Sequence, residues 1–175
     1  YPTLCTRDLV VFPSVLTPIL IGRAESKELA NMLEQNPETV FCIFCQKHAD
    51  IDSPNQEDLY ETGTFAKLMR VINMPNDEHQ KTIIVQGLGR CKMKQIVDKD
   101  PFYLADVESL PETWPTEKEA EDPMFKALTQ TFFEESIKFI QYNENIPNEA
   151  VYAINEITNR FVKCNFICTS LPFTA

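Results

Sequence analysis

Glycine, histidine and positive charge are all in short supply in this 175-residue chain. Its four glycines (22, 63, 87 and 89) all lie before residue 107, and its two histidines are His48 and His79. Lys and Arg number 16 against 26 Asp and Glu, so the charge is 16 − 26 = −10. That balance opposes a phosphate-binding surface, and no run of Lys or Arg restores one locally, so nucleic acid is not an expected partner. The glycine pair in GLGR (87–90) lacks the GxxxxGK[ST] of a P-loop and the third glycine of a dinucleotide fingerprint. It reads as a strand kink or bulge. Long apolar runs are missing too. The longest, LVVFPSVLTPILIG, is broken by Pro13 and Pro18 and is too short to span a bilayer. No basic stretch precedes it and no small-residue cleavage site follows, which excludes a signal peptide. The chain opens on Tyr1, and the expectation is an excised piece of a longer cytoplasmic protein with no membrane contact.

What is present is ordinary globular material. Hydrophobic residues make up 43% and charged ones 24%, enough for one or two small domains with real cores. Six cysteines (5, 42, 45, 91, 164 and 168) sit mostly among apolar residues and read as reduced thiols acting as small hydrophobes. Residues 41–48, FCIFCQKH, are the exception that invites chemistry. Two sulfurs on one zinc must lie within ~4 Å of each other. TVFCIFCQ is rich in β-branched and aromatic residues, and a strand carries residues three apart to ~10 Å and opposite faces. Cys42 and Cys45 are therefore expected to be structural. Cys164 and Cys168 fall in register with Phe161 and Leu171 on a helix, an expected core stripe. His48, beside Lys47, Asp50 and Asp52, and His79, in a polar turn, read as surface residues, so neither is expected as the base of a cysteine nucleophile. No catalytic residue, cofactor site or metal site emerges.

Punctuation divides the chain. Residues 1–107 read as short strands: DLVVFP, TPILIG, TVFCIFCQ, GTFAKLMRVINMP, KTIIVQGLGRCKMKQIV and YLADVES. MPNDEHQK looks like a hairpin connection, with Asn76 and Asp77 as turn formers. One helix interrupts, SKELANMLEQN, with Ser26 as its expected cap, Leu29, Ala30 and Leu33 on one face and Pro37 beyond its end. Residues 108–123, ESLPETWPTEKEAEDP, hold six acids, one Lys and three prolines, the profile of a solvated linker. Residues 124–175 read as a helical bundle. Asp122 and Pro123 cap and open its first helix, whose apolar face is expected to comprise Phe125, Leu128, Phe132, Phe133, Ile137 and Ile140. NEAVYAINEI and NRFVKCNFICTSL follow as shorter helices. The fold class is α+β.

Two blocks carry a family resemblance. TRDLVVFPSVLTPILIGRAES resembles the opening of the N-terminal domain of Lon-type ATP-dependent proteases, with its Arg-Asp pair, apolar Phe-Pro run and closing Gly-Arg. EDLYETGTFAKLMRVINMPNDEHQKTIIVQGLGRCKM is similar to that domain's second signature, from Leu-Tyr-x-x-Gly-Thr to Gly-x-x-Arg. QKHADIDSP stands in place of a Gln-Lys-Asp loop, and the ending NFICTSLP is similar to the domain's C-terminal bundle. Cys5-Thr6 stands where Pro-Leu is usual, and Cys42 and Cys45 where aliphatic residues are.

The resemblance implies a PUA-like β pseudobarrel followed by an α-helical bundle that leads into an ATPase module absent here. The ATP, magnesium and Ser–Lys peptidase chemistry would belong to the parent chain and not to these residues. It implies engagement of unfolded, damaged or degron-bearing polypeptides in protein quality control, and support of a homohexamer, with the fragment itself a monomer or weak dimer. Unfolded segments are met by exposed apolar residues. Met124, Phe139 and Tyr142, at the edges of the broad helical face, are the candidate substrate contacts. An adaptor or substrate receptor outside a protease, and a PUA-like nucleic-acid-binding module, are the rival readings.

Overall fold

The computed structural model describes the chain apart from residues 74–79, 114, 145, 148 and 172–175. The expected hairpin connection with Asn76, Asp77 and His79 lies outside the described residues. The architecture is α+β, divided after Pro111 into two compact units.

In the first unit six described strands form one sheet: β1 (Pro2–Thr6), β2 (Leu16–Ile21), β3 (Val40–Cys45), β4 (Thr62–Asn73), β5 (Lys81–Asp98) and β6 (Tyr103–Leu110). Their order is β2-β5-β4-β3-β1-β6, and β6 also pairs with β5. That extra pairing closes β5, β4, β3, β1 and β6 into a ring. The 18-residue β5 makes closure possible by serving two neighbours. Its first part, Lys81–Gln86, pairs with β2, and Arg90–Asp98 pairs with β6. GLGR is a bulge, as its glycines suggest. Phe65 pairs with Gly89 and Ala66 with Gly87, leaving Leu88 as the extra residue. Gly87 also has a packing reason to lack a side chain, because a Cβ there would run into the Phe12 carbonyl.

Helix α1 (Ala24–Gln35) lays Leu29, Ala30 and Leu33 against Leu4, Ile19, Ile21, Phe41, Ile43, Ile83 and Val85. A second cluster joins Cys5, Cys42, Phe44, Leu59, Cys91, Met93, Tyr103 and Ala105. Burying one such large side chain contributes about 1.5–3 kcal/mol. Strand β3 is buried on both faces from Phe41 to Cys45, which explains its unbroken apolar run.

Two expectations are corrected here. DLVVFP is not a strand: Asp8 and Ser14 adopt positive φ, of 48° and 64°, and its polar backbone groups bond outside any ladder of its own. Ser14 N–H donates to Gly87 O (2.9 Å), and Val11 O accepts from Thr64 Oγ1 (2.6 Å). Pro13 has no N–H to give a ladder, while Val11 and Val15 are still buried. Ser26 does not cap α1. The helix starts at Ala24 directly after Gly22-Arg23, with Arg23 at the cap and no side-chain bond.

The second unit begins with α2 (Glu117–Glu121), capped by a reciprocal Thr116–Glu119 pair. Strand β6 at one end and α2 near the other therefore occupy parts of the stretch expected as a linker. Helix α3 (Pro123–Tyr142) starts as its sequence predicts, Asp122 accepting from the N–H groups of Met124 and Phe125. Asn159 caps α5 (Arg160–Ser170) in the same way, and α4 (Glu149–Glu156) lies between them. The core is small. Ile140, Ile154 and Ile167 are fully buried, with Phe133, Ile137, Val151 and Phe166 packed around them.

The broad apolar face expected of α3 is corrected as well. Phe133, Ile137 and Ile140 turn inward, but Phe125, Leu128 and Phe132 are 37%, 62% and 39% exposed. At 100° per residue these two sets lie on different sides, and two short partner helices cover only one. On α5 the expected core stripe is offset: Cys164 and Cys168 are half-buried, and the buried positions are Asn165 and Ile167.

Candidate functional site

The residues that look chemical are placed structurally. Cys42 and Cys45 both lie in β3, where residues three apart face opposite ways. Cys42 packs with Phe44 and Cys91, and its thiol is pushed far up by a hydrogen bond with Cys91 and by burial. Cys45 is raised by burial, beside Thr6 and Leu9. Burial pushes Cys5 up to about 12. These thiols are protonated at neutral pH and poor nucleophiles. His48 is exposed while Cys45 is buried, and no Cys–His pair forms between them. His79 lies outside the described residues.

Two features remain. The first is the outer side of α3, where Met124, Leu128, Phe132, Phe139 and Tyr142 stand 72%, 62%, 39%, 47% and 85% exposed. At 100° per residue all five fall within one quadrant of the helix surface. The three residues singled out in the sequence thus share a side with two that were expected in the core.

The second feature was not singled out. A cavity of about 550 Å³ is lined by Leu4–Arg7 of the β1 end and Ile19–Arg23 of the β2 end, with Ser26 and Asp52. Gln46, almost fully buried, holds the lining residue Arg23 from behind. Its side-chain amide donates to Ile51 O (2.8 Å) and His48 O (3.2 Å), and its Oε1 accepts from Arg23 (2.6 Å). Arg23 also donates to Ile51 O (3.1 Å), and Arg7 donates to Asp52 at 2.5 Å. The guanidinium of Arg23 is held below its ordinary value by burial first and by the charge of Arg7 second. Pro18 is the one sequence signal here: it is compatible with an edge strand, but it does not reveal the cavity.

The family profile described as the ATP-dependent protease La (LON) substrate-binding domain matches residues 1–175. The chain belongs to this family. It is 33% identical over 174 residues to the Lon protease of Chloroherpeton thalassium, covering 99% of this chain and 20% of that protein. It is 30% identical over 170 residues to the Lon protease of Flavobacterium johnsoniae, covering 97% and 20%. The chain thus spans about one fifth of these relatives. The solved N-terminal domain of Mycobacterium avium complex Lon protease shares its fold, with TM-score 0.60, 16% identity and coverage of 97% and 98%. So does the Lon N-terminal domain protein of Xanthomonas campestris, with TM-score 0.56, 9% identity and 98% of each chain. Among the described residues of this Lon domain, no helix is long and apolar enough to cross a membrane.

Proposed function

We propose that this Lon domain engages unfolded, damaged or degron-bearing polypeptides for an ATP-dependent protease in the cytoplasm, and supports assembly of its hexamer. The observation that carries the reading is the exposed apolar side of α3, with Met124, Phe139 and Tyr142 as its contacts. A folded protein hides its apolar side chains, so an apolar stripe selects chains that have failed to fold or have lost their fold. Two uses of one stripe are compatible, because a weak contact made many times in a ring gains avidity without new chemistry. The proposal assigns no cofactor to these 175 residues. ATP, magnesium and peptide hydrolysis would be the work of the remaining four fifths of a relative-length chain, and this segment by itself would be a monomer or weak dimer.

Support comes from the family description, which names substrate binding, and from relatives that are Lon proteases. The net charge of −10 weighs against nucleic acid as the alternative ligand. A pull-down with a permanently unfolded polypeptide tests the stripe. The double substitution Phe139→Ala, Tyr142→Ala is expected to lose most of the bound polypeptide while the chain stays folded. Retention at the wild-type level would remove α3 from the proposal.

A further inference from the structure

We propose that the cavity between β1 and β2 is a strand-addition site, which takes an extended segment of polypeptide with an acidic side chain set against Arg7 and Arg23. This rests on the polypeptide-binding reading above and says how one contact is made.

The ring of strands is incomplete at this place. Strand β1 pairs with β3 over Thr3–Thr6, but with β6 only at Pro2 and Thr3. Strand β2 pairs with β5 along Leu16–Ile21 and stands last in the strand order. Among the described residues, each therefore keeps an edge without a strand partner. Both edges line the same cavity, β1 through Leu4, Cys5 and Thr6 and β2 through Ile19, Leu20 and Ile21. Such an edge presents alternate N–H and C=O groups, to which an extended chain adds as one more strand. Recognition through the main chain is nearly indifferent to sequence, which suits a domain that must accept many different unfolded chains.

Gly22 supplies an independent observation. Its φ is not positive, and a Cβ built on it meets nothing within 4 Å. The fold does not need glycine at this point. A bare Cα on the cavity wall leaves room for the close approach of another backbone. The contrast with Gly63 is direct, since a Cβ there would come within 2.5 Å of both Ile43 O and the Phe44 ring.

Charge fixes the chemistry at one end. The charged residues lining the cavity are Arg7, Arg23 and Asp52. Asp52, whose side chain is 94% exposed, forms its ion pair with Arg7; Arg23 feels that carboxylate only weakly, and its hydrogen bonds go to the neutral oxygens of Gln46 and Ile51. A locally positive mouth in a chain of charge −10 is complementary to a carboxylate on the incoming segment. Pro18 removes one donor from the middle of β2 and confines strand addition to the end beside Arg23.

The test titrates a fluorescently labelled, reduced and carboxymethylated polypeptide with the 175-residue chain, its Gly22→Trp variant and a Gly89→Trp control. Gly89 also has open space at its Cβ but does not line the cavity. Gly22→Trp is expected to weaken binding at least tenfold, with Gly89→Trp within twofold of wild type. Hydrogen exchange on the wild-type chain provides a readout free of any variant: bound polypeptide should slow exchange at amides of residues 4–6 and 19–22. Short peptides whose Glu residues are replaced by Gln should bind several-fold more weakly. Unchanged affinity in Gly22→Trp, or protection confined to α3, would overturn the strand-addition site while leaving polypeptide binding standing. No binding by the wild-type chain would overturn both.

Discussion

Phe41 and Phe44 in β3 are fully buried, whereas Phe125, Phe132 and Phe139 in α3 are 37–47% exposed. The same residue type thus has opposite fates in the two units. In the first, a ring of strands and one helix give each inward side chain neighbours on all sides. In the second, three helices meet around three isoleucines, and one side of the longest helix keeps its apolar side chains 39–85% exposed. The first unit encloses its inward-facing side chains, although Met69 and Val97 on its surface are 54% and 62% exposed. The second leaves one apolar side of α3 exposed.

Core truncation should separate the units most. Phe44→Ala is expected to cost about 3–5 kcal/mol, read as lost protection of β-unit amides in native-state hydrogen exchange. Ile140→Ala should cost about 2–5 kcal/mol, read at the amides of α3, α4 and α5. Equal loss across both sets from either substitution would break the comparison.

The glycines sharpen it within the β unit. Gly63→Ala must displace Ile43 O or the Phe44 ring and should cost about 1–3 kcal/mol in urea unfolding. Gly22→Ala, which meets nothing, should stay within about 0.5 kcal/mol of wild type.

High pH should weaken the β unit through Cys5. Its thiol titrates near 9.0 ordinarily and at about 12 when buried in the fold. Between those values the folded state holds a proton that the unfolded chain has released. Stability is therefore undiminished below pH 9 and falls as pH rises toward 12, by at most about 1.4 kcal/mol per unit. Cys45, also raised by burial, adds to the trend, and Cys5→Ala should make the slope shallower.

The smallest effect on stability belongs to the α3 stripe. Met124→Ala and Tyr142→Ala, at 72% and 85% exposure, should shift the unfolding midpoint by the equivalent of about 0.5 kcal/mol or less.

Much of this was legible in the sequence because local signals and tertiary packing agree. The apolar run of β3, the bulge at GLGR, the Asp122-Pro123 helix start and the structural place of Cys42 all follow from residue type and spacing. DLVVFP misled because an apolar stretch can be buried without forming a strand when Pro13 and two positive-φ residues direct its backbone bonds elsewhere. Ser26 misled because α1 leaves β2 without a loop, so the helix begins before a capping residue arrives. The face of α3 misled for another reason. Helical periodicity shows which residues could be buried, but not how many neighbouring helices are present to bury them. The cavity was illegible because it depends on strand order: which edges stay unpaired is a property of the closed sheet.

The most direct test of polypeptide engagement is calorimetric titration of the chain with one polypeptide in its unfolded and its folded form. The account predicts saturable binding of the unfolded form with a negative heat-capacity change, reflecting apolar surface buried on contact, and no measurable binding of the folded form. Equal binding of both forms, or of neither, would contradict it.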